Sequence, residues 1–231
     1  PLLTLRSIPI TLFVAEQIWF LTGERMPEPF LTQFTHIWSD FANLGGVVSA
    51  AYGYRWRRHF RRDQLADLIT LLENDPSSRQ GVVLAWDPAT DGLASGVPRK
   101  NVPCPYTFTV NIIGGRLNLH NIVRSNDVLL GLPHDVAGFA LLQHILAARL
   151  GMVPGKYTHS ISHAHIYDIH EKAAAKLAER TPTHPPITLT VPPDAFARGS
   201  SGDASLVMEI SDQLAAQYHP QSAIKGLKIV L

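Results

Sequence analysis

Thr107-Phe-Thr-Val-Asn-Ile-Ile113, Gly114-Gly115 and Arg116-Leu-Asn-Leu-His-Asn-Ile-Val-Arg124 form two alternating runs separated by a glycine pair. Alternation puts every second side chain on one face, and paired glycines supply the positive φ of a tight hairpin, so the segment predicts two adjacent antiparallel strands. Working outward, helical spacing is read over residues 8–21 (closed by Gly23), 31–41, 63–72, 135–150 (closed by Gly151) and 169–180. Residues 81–86 and 157–166 read as strands, as do 187–191, 206–210 and 224–231 between proline-rich joints. Gly45-Gly46 opens a loop carrying residues 51–56. Helices and strands mixed without strict βαβ alternation imply an α+β fold, a large mixed β-sheet packed by helices.

The 231 residues are 45% hydrophobic and 17% charged, enough to bury one large core, and residues 1–231 read as one domain. The formal net charge of +1 gives no global field toward nucleic acid or an anionic membrane, so any bound anion needs a local cluster. A single cysteine forbids an internal disulfide and fits a reducing compartment. No apolar run reaches the roughly 18 residues that span a bilayer, and no signal-peptide pattern opens the chain, so a cytoplasmic protein is expected. Pro1 is not an initiator methionine and leads straight into core-like sequence, so an upstream segment is expected to be missing.

Four features carry chemistry: Pro103-Cys104 at a strand entrance, Arg124-Ser125-x-Asp127, Leu130-Gly-Leu-Pro-His-Asp135, and His163-Ala-His-Ile-Tyr167. Singly, each has a bland reading. A lone cysteine is ordinarily a small buried hydrophobe. Arg124-Ser125 could be a solvated strand end, although a guanidinium fork beside a hydroxyl is also what a phosphate needs. Asp135 could be the N-cap of its helix. Glu16, the one acid on an apolar helix, needs a reason for being there.

In this order and spacing the features resemble the thymidylate synthase family, which includes the pyrimidine-nucleotide hydroxymethylases. The resemblance covers nearly the whole chain: Pro1-Leu-Leu-Thr, Glu16-Gln-Ile-Trp-Phe20, Tyr52-Gly-Tyr-Arg-Trp56, Ser78-Arg79, Ala85-Trp86, Pro103-Cys104, Arg124-Ser-Asn-Asp127, Leu130-Gly-Leu-Pro133, His165-Ile-Tyr167 and an apolar terminal strand after Ile224-Lys225. It implies a thymidylate synthase-like catalytic domain that dimerises through its sheet with two shared sites, takes a pyrimidine nucleoside monophosphate, and uses 5,10-methylenetetrahydrofolate as co-substrate without a metal. By the same resemblance Cys104 is the nucleophile that adds to carbon 6 of the base, with its thiolate favoured by Arg124. Glu16 matches the catalytic glutamate that organises water and moves protons. Arg124 and Ser125 match phosphate ligands, and Arg79 matches an arginine that reaches the partner's phosphate. His165 and Tyr167 match sugar ligands. Trp38 and Gly131 fall on the folate side, and Asp127 lies beside nucleotide and cofactor.

Departures from the family pattern are informative. Thymidylate synthases carry asparagine where this chain has Asp135; an amide matches the donor at nitrogen 3 and the acceptor at position 4 of uracil. A carboxyl group instead accepts from the 4-amine of cytosine and shares a proton with its ring nitrogen, and mispairing such a buried polar site costs about 1–3 kcal/mol. Asp135 thus resembles the cytidylate hydroxymethylases, in which water quenches the exocyclic methylene, and the implied product is a 5-hydroxymethyl CMP or dCMP. Methylation of dUMP and hydroxymethylation of a uridine nucleotide are the alternatives. Gln80 stands for a second phosphate arginine, Pro105 for a histidine, Val123 for a glutamine, His134 for a phenylalanine, Phe41 for a tryptophan and His163 for an aspartate.

Two readings of other classes compete. His159, His163, His165 and His170 fall within twelve residues and could ligate a metal, although no acidic or cysteine ligand accompanies them. Arg55, Arg57, Arg58, Arg61 and Arg62, interleaved with Trp56 and Phe60, could touch nucleic acid, a reading the near-neutral total charge opposes.

Overall fold

The computed structural model describes residues 1–95, 101–182 and 187–230. The first helix, α1 (Ile10–Thr22), is apolar on nearly every side, with Phe13, Val14, Ile18, Trp19 and Leu21 buried, and ends at Gly23 with φ 71°. Two 3-10 turns, Leu31–Gln33 and Ser39–Phe41, precede α2 (Tyr52–Tyr54), which continues as a π-helical stretch over Arg55–His59. Asp63 caps α3 (Gln64–Asn74), its carboxylate accepting from the Ala66 N–H at 3.1 Å. There follow β1 (Val82–Leu84), β2 (Pro105–Ile113), β3 (Arg116–Val123) and the two-residue β4 (Asn126–Asp127). The 19-residue α4 (Gly131–Arg149) leads to β5 (Val153–Ile161), β6 (Ala164–His165), α5 (Glu171–Ala178), α6 (Ala195–Ser200) and α7 (Ala204–Ala215).

The main sheet runs β1-β2-β3-β5, with the first two pairings antiparallel and β3·β5 parallel, so it is mixed as expected; β4 and β6 form a small parallel pair. Val83, Phe108, Asn121 and His159 stand opposite one another in register along one row. Helix α4 packs on β3 and β5, and α1 lies against α4, α6 and α7, so the core sits between this face and the helices. The next row, Val82, Thr109, His120 and Thr158, belongs to the opposite face, where Val82 stays 50% exposed. Rings link the layers: Trp56 touches Phe20, Phe108 and Phe139 with centroids 5.4–5.8 Å apart.

The structure departs from the sequence expectations at six places. Residues 31–41 form turns rather than a helix: only Leu31 of the two turns is buried, and the Thr35 hydroxyl takes the Ile37 N–H at 3.3 Å in competition with a helical carbonyl. Within residues 51–56, positions 52–56 are helical rather than looped. Gly53, a loop signal by type, is there for close packing, since a Cβ on it would lie 2.0 Å from the Phe20 carbonyl oxygen. Residues 206–210 lie in α7, not in a strand: Leu206, Val207, Ile210 and Leu214 are buried at helical spacing, and Met208, which completed the apparent alternation, points outward at 47% exposure. Residues 187–191 and 224–230 are not strands; Ile229 and Val230 stay 39% and 37% exposed, and the Lys228 N–H donates to the His170 ring at 3.2 Å. Helix α4 begins four residues earlier than expected, which moves Asp135 from the cap into the helix.

Candidate active site

Cys104 enters β2 directly after Pro103. Its backbone N–H donates to the Tyr52 hydroxyl at 3.0 Å, and its Sγ lies 3.5 Å from Arg124 Nη2. The Arg124 guanidinium is aimed by backbone carbonyls, Nε on Pro103 at 2.8 Å and Nη2 on Val102 at 3.1 Å, while its own N–H bonds the Cys104 carbonyl at 2.9 Å. Residue 104 and residue 124 are thereby locked together by the hairpin itself. Arg124 was expected to draw the thiol below its ordinary value. It does pull that way, but burial is the larger effect and Asp135 adds to it, so the Cys104 thiol is pushed up.

Glu16 reaches the same space from α1. Trp38 Nε1–H donates to Glu16 Oε1 at 2.6 Å, so Trp38 sits directly on the acid. Burial pushes the Glu16 carboxyl up to about 8, the Trp38 bond opposes this, and Asp135 adds to it. Asp135 is itself pushed up to about 7 by burial, against a hydrogen bond from Asn126 Nδ2 to its Oδ2 at 2.7 Å. Tyr52 is raised well above its ordinary value by burial, then by the charges of Cys104 and Asp135. A thiol, two carboxyls and a phenol thus share one desolvated space and oppose one another's ionisation, which is typical of sites arranged for chemistry rather than for stability.

Asp135 is the fifth residue of α4, whose N-cap is Leu130 with no side-chain cap. The turn before the helix is held by Asp127, whose Oδ1 accepts from the Leu129 and Leu130 N–H groups at 2.9 and 3.2 Å. Asp135 is therefore no cap, and Asp127 keeps Oδ2 for another donor. Gly131 opens the helix so close to Asn126 that a Cβ would lie 3.1 Å from its Nδ2. His165 packs edge-on against Tyr167 at 4.9 Å, and its buried Nδ1 has no protein partner. Ser125 follows Arg124 in the short link to β4, half-buried. Arg79 lies apart from this cluster, exposed on the loop between α3 and β1 beside a surface concavity with Asp75, Ser77 and Ser78.

Asn126 and Tyr157 were given no role by the sequence, His159 only that of a candidate metal ligand, and Tyr52 was noted only within a motif. The one signal was position, Asn126 lying between Ser125 and Asp127 and Tyr52 opening Tyr52-Gly-Tyr. His134, half-buried, is pushed down to about 4 by burial and by Arg6. The histidine cluster is divided: His163 and His165 stack at 5.5 Å, His159 turns to Asn126 and Tyr157, and His170 takes Lys228. Among the described residues no group of three or more His, Cys, Asp or Glu could hold a metal ion, and no helix is long and apolar enough to cross a membrane. Ion pairs engage Arg55 with Asp91 (2.9 Å), Arg57 with Asp63 (2.7 Å), Arg58 with Glu24 (2.8 Å) and Arg62 with Asp67 (2.7 Å), so those arginines serve internal contacts.

The family model for thymidylate synthase matches residues 1–229. Among solved structures, the chain is similar to thermostable thymidylate synthase A from Bacillus subtilis, with a TM-score of 0.79 and 25% identity over 100% of this chain and 80% of that one.

Proposed function

The chain belongs to the thymidylate synthase family, whose members transfer a one-carbon unit from methylenetetrahydrofolate to carbon 5 of a pyrimidine nucleotide, and from that premise we propose that it hydroxymethylates CMP or dCMP. One observation carries the choice of base: where the family places an asparagine, Asp135 projects from within α4 into the space of Cys104 and Glu16, free of any capping role. A carboxyl group there complements the 4-amine and nitrogen 3 of cytosine.

Cys104 Sγ bonds to carbon 6, and the displaced ring electron pair makes carbon 5 the nucleophile for the one-carbon unit. The folate supplies that unit at the methylene level and leaves as tetrahydrofolate. Carbon 5 loses its proton, water adds to the exocyclic methylene, and Cys104 departs as thiolate, so that nucleotide, methylenetetrahydrofolate and water give 5-hydroxymethyl nucleotide and tetrahydrofolate. Arg124 offsets the cost of the thiolate and, with Ser125, binds phosphate. Glu16, held protonated to about pH 8, is the group that gives and takes protons around the base and its water. The unpartnered Nδ1 of His165, beside Tyr167, suits a sugar hydroxyl. Trp38 and Phe41, 5.3 Å apart, offer an aromatic wall, and Asp127 Oδ2 an acceptor, that fit a pterin.

The sheet face carrying Val82 and His120 is assigned to a two-fold dimer, which would bring the exposed Arg79 to a second protomer's phosphate. Mixing inactive Arg79→Ala and Cys104→Ser chains should then restore activity. A free-thiol nucleophile fits the cytoplasm. The central test is to incubate enzyme and methylenetetrahydrofolate with CMP, dCMP, UMP and dUMP and weigh the products; a hydroxymethylated cytidine nucleotide is expected, and a methylated dUMP would overturn the proposal.

A further inference from the structure

A carboxyl group that keeps its proton is an ambivalent reader of pyrimidines. With one O–H and one bare oxygen it can pair with the amine and ring nitrogen of cytosine, or in the opposite sense with the N–H and carbonyl of uracil. Asp135, pushed up to about 7, is such a group near neutrality. How strongly it selects cytosine therefore depends on which oxygen holds the proton.

Asn126 is 2% exposed and contributes nothing to the chemistry described so far. Its backbone is fixed by the β4·β6 pairing, with its N–H on the His163 carbonyl at 2.9 Å. Its Nδ2 lies 2.7 Å from Asp135 Oδ2, and its Oδ1 lies 3.1 Å from His159 Nε2. His159 Nδ1 in turn lies 2.8 Å from the Tyr157 hydroxyl and 3.4 Å from Asn121 Nδ2. Burial and the neighbouring His120 hold His159 down to about 4, so its ring is neutral, with one donor nitrogen and one acceptor. Asn121 Nδ2 can only donate, so Nδ1 accepts and Nε2 carries the hydrogen. Asn126 Oδ1 must then be the acceptor, its amide cannot turn over, and its NH2 faces Asp135. Asn121 and His159 are available because they share the row of β3 and β5 that faces the helices, and the glycine at 131 leaves the space for the Asn126 amide.

Building on the reading of Asp135 as the group that meets the base, we propose that Asn126, oriented by His159 and Tyr157, is a positioning residue that keeps Asp135 Oδ2 an acceptor and its proton on Oδ1, and so makes the carboxyl selective for a 4-aminopyrimidine. Oδ2 retains a second lone pair for the amine, and Oδ1–H serves the ring nitrogen. Without the amide donor both proton placements are open, and uracil is admitted.

The experiment compares kcat/KM for dCMP and dUMP, with products weighed, in the wild type and in Asn126→Leu, His159→Phe, His159→Gln and Tyr157→Phe. Asn126→Leu and His159→Phe should lower the cytosine-to-uracil ratio by about ten- to a hundredfold, the discrimination expected of one hydrogen bond to an ionisable group. His159→Gln, whose amide can still donate to Asn126, should restore most of the ratio. Tyr157→Phe removes one hydroxyl from the end of the chain and should lower the ratio by about two- to tenfold, which keeps the test intact if Asn126→Leu does not fold. Parallel loss on both nucleotides, or an unchanged ratio, would mean that Asn126 is merely structural and overturns the proposal. A wild type that prefers uracil would instead overturn the assignment of the base, an outcome read from the unmutated enzyme alone.

Discussion

Replacing Asp135 with asparagine, alone and together with Asn126→Leu, tests two things at once, and they are separable. The first is hydrogen-bond polarity. Asn126 Nδ2 donates across 2.7 Å to Asp135 Oδ2, and in Asp135→Asn that donor selects the amide oxygen. With the oxygen in the place of Oδ2 and the new NH2 in the place of the Oδ1 proton, the pair shown to the base still suits cytosine, whereas in Asp135→Asn combined with Asn126→Leu the amide can turn over, present its NH2 to the 4-carbonyl of uracil and oppose the 4-amine of cytosine. One mismatched buried hydrogen bond costs about 1–3 kcal/mol, or about 5- to 150-fold in relative kcat/KM. The second is charge. Asp135 raises both Glu16 and Cys104, so its neutral replacement should lower both, moving the pH-rate limbs that report them toward acid. Steady-state rates on dCMP and dUMP from pH 5 to 10 measure both effects. If the double variant keeps the cytosine preference and the limbs do not move, Asp135 neither meets the base nor shares a field with the thiol, and the assignment of this site collapses.

Cys104→Ser should lower turnover at least about a thousandfold while retaining nucleotide affinity, because a serine hydroxyl is far harder to ionise than a thiol; calorimetric titration beside a rate assay checks this, and retained turnover would remove the covalent step. Glu16 and Asp135 stand above their unfolded values of 4.5 and 3.8, so the stability they leave intact in acid is lost as pH rises through about 8 and about 7, respectively. Glu16→Gln should therefore raise the denaturation midpoint relative to wild type more at pH 9 than at pH 5, and an equal effect at both would contradict the burial argument. Gly53→Ala forces a Cβ to within 2.0 Å of the Phe20 carbonyl oxygen and should lower Tm by at least about 5 °C. A Tm within a degree of wild type would show that α1 and α2 can part freely.

What the sequence made legible was whatever local pattern alone decides. The hairpin of β2 and β3, the helix that follows Asp63 and the mostly apolar α1 could be read because alternation and helical spacing act over a few residues. Residues 206–210 misled because five residues fit both a period of two and one of 3.6, and only Leu214 separates them. Gly53 misled because its backbone freedom is the same whether it serves a loop or a close helix contact. In the site, Cys104, Glu16, Arg124 and Asp135 were found through their order along the chain, but the upward push on the thiol was not, since it depends on how deeply neighbouring elements bury it. The contacts from Asn126 to His159 and Asp135 join separate elements, which no local spacing foretells.

The aromatic residues around the site also make it optically self-reporting. Of the four tryptophans, Trp38 bonds the Glu16 carboxyl and Trp86 lies under the Arg124 guanidinium at 5.9 Å, while Trp19 and Trp56 are sealed in the core. Indole emission responds to a nearby proton-accepting or charged group, so one fluorophore watches the acid and another the arginine proposed to bind phosphate, against two that stay constant as internal standards. Ligand arrival at either end of the nucleotide can be followed by intrinsic fluorescence, without a label and without turnover.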